Sequence, residues 1–204
     1  MKRFRLATIL LLALTAGHAS VAEAQYAVGH RVFGGGTAFG GGYMRSDFQF
    51  PGIEPGRWFP LLPTIELKVF LGDLVSIDLS VPVVNIAASN ALQKHFFFTG
   101  EAFVNFHPNA PSTFELFVAP GVGLSYAAWE SDDGKSKENA WAFHIPVRVG
   151  MEFSNARRTF SFTTAVRPFF SLVHGGSGGN NAGGGVFLEL GLNAYAVKYT
   201  GDRY

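Results

Sequence analysis

From residue 31 onward, apolar and polar residues alternate with a period of two, in run after run, and this feature restricts the fold more than any other. In TIELKVF, Thr64–Phe70, one face carries Ile65, Leu67 and Val69 and the other Glu66 and Lys68. The next run sets Val75, Ile77, Leu79, Val81 and Val83 against Ser76, Asp78 and Ser80. Phe96, Phe98, Ala102, Val104 and Phe106 then oppose His95, Thr99, Glu101 and Asn105, with Phe97 and Phe103 on the polar side. From Phe114 an apolar set of Leu116, Val118, Val122, Leu124 and Tyr126 faces Glu115, Phe117 and Ser125.

The later runs follow the same code. Trp141, Phe143, Ile145, Val147, Val149, Met151 and Phe153 oppose His144, Arg148 and Glu152. Phe160, Phe162, Val166, Phe170 and Leu172 oppose Ser161, Thr163, Arg167 and Ser171, and Val186, Leu188, Leu190 and Leu192 oppose Glu189 and Asn193. With the glycine-rich run Arg31–Arg45 as the first, eight strands are expected. The connections between them alternate long (Ser46–Leu61), short (Gly72–Asp73), medium (Ala87–Gln93), short (Pro108–Ser112), long (Glu130–Ala140), short (Asn155–Arg158) and long (Gly175–Gly185). A Greek-key sandwich has no reason to sort its loops this way. An up-and-down barrel in an outer membrane does, with short periplasmic turns and longer loops outside.

In water, faces this apolar would form patches far larger than a soluble monomer shows. In lipid they are required. The expected fold is therefore all-β, an eight-stranded antiparallel up-and-down transmembrane β-barrel. The start of the chain agrees: Lys2, Arg3 and Arg5, an apolar run Leu6–Ala16 and Ala22-Glu23-Ala24 read as a cleavable signal peptide over residues 1–24, leaving a barrel domain over 25–204. Losing three basic residues and one acidic one turns the formal charge from +1 to −1, which counts against nucleic acid as a partner. The absence of cysteine excludes disulfides and thiolate metal sites.

Three places strain the pattern. Pro82, Pro120, Pro146 and Pro168 fall inside strands, and since proline donates no ladder bond and a closed barrel has no edge, bulges are expected there. Tyr195, Val197 and Tyr199 occupy the inward parity of Glu189 and Asn193, so a bulge near Asn193 is expected to return them to lipid. The two FGGG runs at Phe33 and Phe39 lack the lysine and spacing of a phosphate loop and read as space for bulky neighbours inside a narrow barrel.

The A-P-G-V-G-L-S-Y run Ala119–Tyr126, the I-P-V-R-V-G run Ile145–Gly150 and the amphipathic final strand Val186–Tyr199 resemble the small eight-stranded outer-membrane barrels of Gram-negative bacteria, the opacity-type and OmpA/OmpX-like superfamily. The resemblance implies outer-membrane lipids and lipopolysaccharide as surroundings. It also implies a terminal aromatic, Tyr199 or Tyr204, recognised by the barrel-insertion machinery, and an extracellular partner met through the long loops. Some barrels of this size are lipid A deacylases or palmitoyltransferases, but the deacylase run His-x-Ser-Asn is missing after His95, His144 and His174. No catalytic, cofactor-binding or metal-ligating residue is assigned, and no cofactor is expected.

An eight-stranded lumen is only wide enough for its own side chains. The expected polar network is Glu66, Lys68, Asp78, Glu101, Glu115, His144, Arg148, Glu152, Arg167 and Glu189, with Phe70, Phe97, Phe117, Phe169 and Phe187 filling the remaining space. Tyr43, Trp58, Tyr126, Trp141 and Tyr199 are placed for an aromatic girdle, and Arg45 and Arg57 flank the first loop at headgroup level. The expected function is a structural, surface-interaction or adhesion role for a protein without an open pore. A lipid A-modifying enzyme and a narrow channel for small or apolar solutes are the alternatives.

Overall fold

Each alternating run becomes a strand because the β-branched and aromatic residues that dominate them suit a pleated surface. The computed structural model describes residues 29–45, 58–82, 94–130, 137–175 and 179–199; residues 1–24, where the signal peptide is expected, lie outside them. The strands are β1 (Gly29–Met44), β2 (Trp58–Phe70), β3 (Val75–Pro82), β4 (Lys94–Phe106), β5 (Phe114–Glu130), β6 (Lys137–Ser154), β7 (Phe160–Gly175) and β8 (Asn181–Tyr199). Each pairs antiparallel with its neighbour in sequence, and β8 pairs with β1 to close the barrel. Among the described residues β3 has 8 residues and β8 has 19.

Along β7 the burial alternates almost without a break, inward residues hidden and outward ones exposed. Ile65, Val122, Leu124 and Trp141 each keep more than half of their surface uncovered. The side chains sealed away are instead Glu115, Glu152, Asp78 and Asn105 together with Phe103. This is a soluble protein turned inside out, and the apolar exterior is a membrane surface.

Pairing continues past the expected strand ends. The β5–β6 ladder runs to Glu130↔Lys137, and β8 begins at Asn181, so the expected loops Glu130–Ala140 and Gly175–Gly185 are shorter than read. The reason is that ladder bonds between strands already in register need no apolar side chains, and polar or glycine residues extend the hairpin.

The prolines do not shift the register. Phe103↔Gly121 and Phe106↔Val118 share one register around Pro120, as do Pro146↔Phe169 and Val149↔Val166 around Pro146. Thr64↔Pro82 is the last pair of its ladder among the described residues, and Pro168↔Val186 sits within one. The expected bulges are therefore replaced by missing rungs, because a barrel wall fixed on both sides loses one bond more easily than it reorders a strand. A bulge does occur where Ala38↔Thr64 gives way to Gly40↔Leu61, so that Leu62 and Pro63 together stand opposite Phe39.

The phase change in β8 is also corrected. The β7–β8 register is continuous through Ser161↔Asn193 and Phe160↔Ala194, and Tyr195 stays in the lumen, 6% exposed. The compensating bulge lies in β1, between Arg31↔Val197 and Phe33↔Ala196, and leaves Val32 and Phe33 both facing outward. The glycines of β1 make this possible: a Cβ on Gly34 would stand 2.2 Å from the Tyr195 ring, and one on Gly36 would stand 2.3 Å from the Asn193 side chain.

Candidate functional site

The polar side chains of the inward faces meet in three tiers. At the short-turn end, β5 and β6 set Glu115 directly opposite Glu152, both sealed from solvent. Like charges facing each other across a ladder repel. The bulge at Val32 turns Arg31 inward between them, 3.2 Å from Glu115 and 2.8 Å from Glu152. Arg158, from the turn after β6, adds a second cation on Glu115 and donates to the Gly29 carbonyl at 3.0 Å. Its backbone sits at φ 56°, in the left-handed region a non-glycine residue rarely adopts, so the turn holds strain in the place where its side chain closes the lumen.

Tyr195 completes this tier. Its hydroxyl donates to Glu152 at 2.9 Å, and its ring lies under the Arg31 guanidinium at 4.3 Å, with Phe70 edge-on at 5.5 Å. His107 stands 3.4 Å from Glu115 and forms with Glu115 and Glu152 a buried group of metal-ligand type, their donor atoms within 4.8 Å of one another. Both carboxylates already hold guanidiniums, so a divalent cation would have to displace Arg31 or Arg158.

In the middle tier Lys68 and Asp78 are cross-strand partners, 3.2 Å apart. Arg148 reaches across the lumen, 2.8 Å from Glu66, 2.9 Å from Glu189 and 3.8 Å from Asp78, with its guanidinium 4.3 Å from the Phe103 ring. Glu189 is shared, since Arg167 approaches it at 2.6 Å while also pairing with Glu101. Arg167 rests on Phe187 at 4.5 Å, and Phe187 stacks on Phe169 at 4.7 Å.

The upper tier is built from hydroxyls around one imidazole. Ser125 lies 2.5 Å from His144 Nε2, Ser171 bonds His144 Nδ1, and Thr99 bonds Ser125. A serine beside an imidazole has the contact of a nucleophile and its base, yet the second nitrogen faces a hydroxyl where a triad has a carboxylate. Ser125 is 2% exposed.

Thus the ten residues read as a lumen network are all brought together inside the barrel. Arg31, His107, Arg158 and Tyr195 join them without having been read from the sequence. His107 and Arg158 lie in turns, where parity is undefined, and the bulge at Val32 reverses the parity of Arg31.

Of the girdle residues, Tyr43 is paired with Trp58 and Tyr126 with Trp141, both near the longer connections. The Tyr126 and Trp141 rings are 4.5 Å apart. Tyr199 is exposed at the opposite end and donates to the Arg157 carbonyl at 3.3 Å. Arg45 is exposed just beyond β1, whereas Arg57 and Tyr204 lie outside the described residues.

The chain matches no family model and no curated protein. Among solved structures, the crystal structure of Neisserial surface protein A (NspA) aligns with a TM-score of 0.53 at 10% identity, covering 83% of this chain and 97% of that one. The attachment invasion locus protein Ail of Yersinia pestis aligns with a TM-score of 0.49 at 14% identity, covering 82% and 97%. Ail in complex with the heparin analogue sucrose octasulfate aligns with a TM-score of 0.49 at 15% identity over the same shares. The chain shares with the Neisserial surface protein A structure the fold of a closed eight-stranded antiparallel barrel.

Proposed function

We propose that this protein is an integral outer-membrane anchor without enzymatic activity, holding the connections at its long-loop end for contact with a partner outside the cell. The observation that carries the reading is the lumen. Arg31, Lys68, Arg148, Arg158 and Arg167 are each paired with carboxylates across a space that Phe103, Phe117, Phe169 and Phe187 also fill. A barrel so filled carries load and conducts nothing, which leaves the loop end as its working surface. Its surroundings are outer-membrane lipids and lipopolysaccharide, and its assembly uses the barrel-insertion machinery.

The experiment is threefold: membrane fractionation, gel migration with and without boiling, and planar-bilayer recording. Outer-membrane recovery, heat-modifiable migration and electrical silence are expected. Recovery as a soluble monomer would remove the membrane reading, and steady conductance would replace the anchor with a channel. One contact, Ser125 against His144, favours a second reading as a lipid A-modifying enzyme. A change in lipid A mass spectra on deletion or overexpression of the gene would establish it.

A further inference from the structure

One recess lies at the long-loop end of the seam formed by β7, β8 and β1, with Phe169 of the lumen stack contributing to its lining. It has a volume of about 500 Å³, with walls that include Tyr43, Arg45, Phe170 and Val186 and a floor formed by Gly183–Gly185. The register explains its shape. Tyr43 is opposite Val186 and Phe170 is opposite Gly184, while the Arg45 amide donates to the Gly184 carbonyl at 3.1 Å. These positions share the outward parity, so Gly184 is a gap in the outward face between Phe170 on β7 and, on the other side, Tyr43 on β1 with Arg45 just beyond it. The floor cannot carry a side chain: a Cβ on Gly184 would meet the Phe169 carbonyl at 2.3 Å, and one on Gly185 would meet the Tyr43 carbonyl at 2.2 Å.

We infer that this recess binds one phosphorylated, acylated saccharolipid of the outer leaflet, an acyl chain lying over Gly184 between Phe170 and Val186 and a phosphate meeting the Arg45 guanidinium. The inference rests on the outer-membrane reading above and adds a site to it. Three observations select the occupant. The outward-facing part of the wall, Phe170 and Val186, is apolar, and Arg45, the one cation among the described lining residues, is exposed just past the end of β1, where hydrocarbon gives way to headgroups. The recess also lies at the long-loop end, which faces the outer leaflet in barrels of this kind.

The test refolds the full chain into phosphatidylcholine vesicles containing lipid A, dephosphorylated lipid A or phosphatidylglycerol and counts retained lipid by native mass spectrometry. One retained lipid A is expected, with retention about tenfold weaker for Arg45→Glu and for Val186→Trp, which fills the groove from its lipid side, and closer to the parent for Arg45→Lys. Equal retention by the parent and both disabling variants would overturn the site. Equal retention of dephosphorylated lipid A would overturn the role of Arg45, and equal retention of phosphatidylglycerol would overturn the saccharolipid assignment. Failure of the parent to fold in vesicles at all would instead overturn the outer-membrane reading, and heat-modifiable migration separates that result from loss of the site.

Discussion

Leu67 and Lys68 are adjacent in the chain and live under different rules. Leu67 turns 39% of its surface outward, where lipid asks only for an apolar side chain. Lys68 is 4% exposed and faces Asp78, where only a side chain that answers that carboxylate will do. The outer face is specified by its solvent and the lumen by its partners. Substitutions outside should therefore cost according to polarity, and substitutions inside according to what is left unpaired.

The largest effect that would break this contrast is expected from Arg31→Met. It leaves Glu115 and Glu152 facing each other with Arg158 as the remaining cation on Glu115, a loss of about 3–5 kcal/mol of unfolding free energy in vesicles by urea titration. Adding Glu152→Gln should return much of that loss. A parent-like Arg31→Met would show that the lumen is as permissive as the exterior.

Leu67→Lys tests the outer face and should cost about 2–4 kcal/mol, near the price of a lysine at mid-bilayer, whereas Leu67→Phe should leave the unfolding midpoint unchanged. Next comes Tyr195→Phe. It removes the hydroxyl that donates to Glu152 and should cost about 1–3 kcal/mol while the ring remains against Arg31. The smallest loss, about 1 kcal/mol, is expected for Lys68→Gln, because the amide keeps a donor opposite Asp78 and Arg148 stands 3.8 Å away. A loss as large as that of Arg31→Met would mean that charge, and not hydrogen bonding, holds the middle tier.

The same division explains what the sequence made legible. Lipid imposes alternation on every strand, so parity alone identified Glu66, Arg148 and Glu189 as inward without any knowledge of their partners. Partners were not legible: the turn over residues 71–74 puts Lys68 opposite Asp78, and that register emerges only from the structure. Arg148 reaches Glu66 and Glu189 across the barrel from strands that are not its ladder neighbours, and no local pattern encodes that distance. Tyr195 was misread because the apolar run Tyr195, Val197 and Tyr199 suits lipid if β8 bulges near Asn193, whereas the bulge lies in β1. The residues that correct it, Arg31 and Glu152, lie on other strands. The recess on β8 was equally hidden, since the run from Gly183 to Gly185 reads as loop until the register with Tyr43 and Phe170 is known.

The glycines of β1 bear on the order in which the wall is assembled. The seam between β1 and β8 joins the two most distant parts of the barrel sequence, and loop-closure entropy makes such a pairing the slowest of the eight to find. A strand that arrives last meets side chains already in place. With hydrogen atoms where Gly34 and Gly36 would otherwise project, β1 can slide along Tyr195 and Asn193 until the Val32 bulge sets the register. Bulky residues at these positions would obstruct closure of the barrel and clash in the finished fold too, where a Cβ on Gly36 would stand 2.3 Å from the Leu192 carbonyl, and their signature would be a slower final folding phase in vesicles.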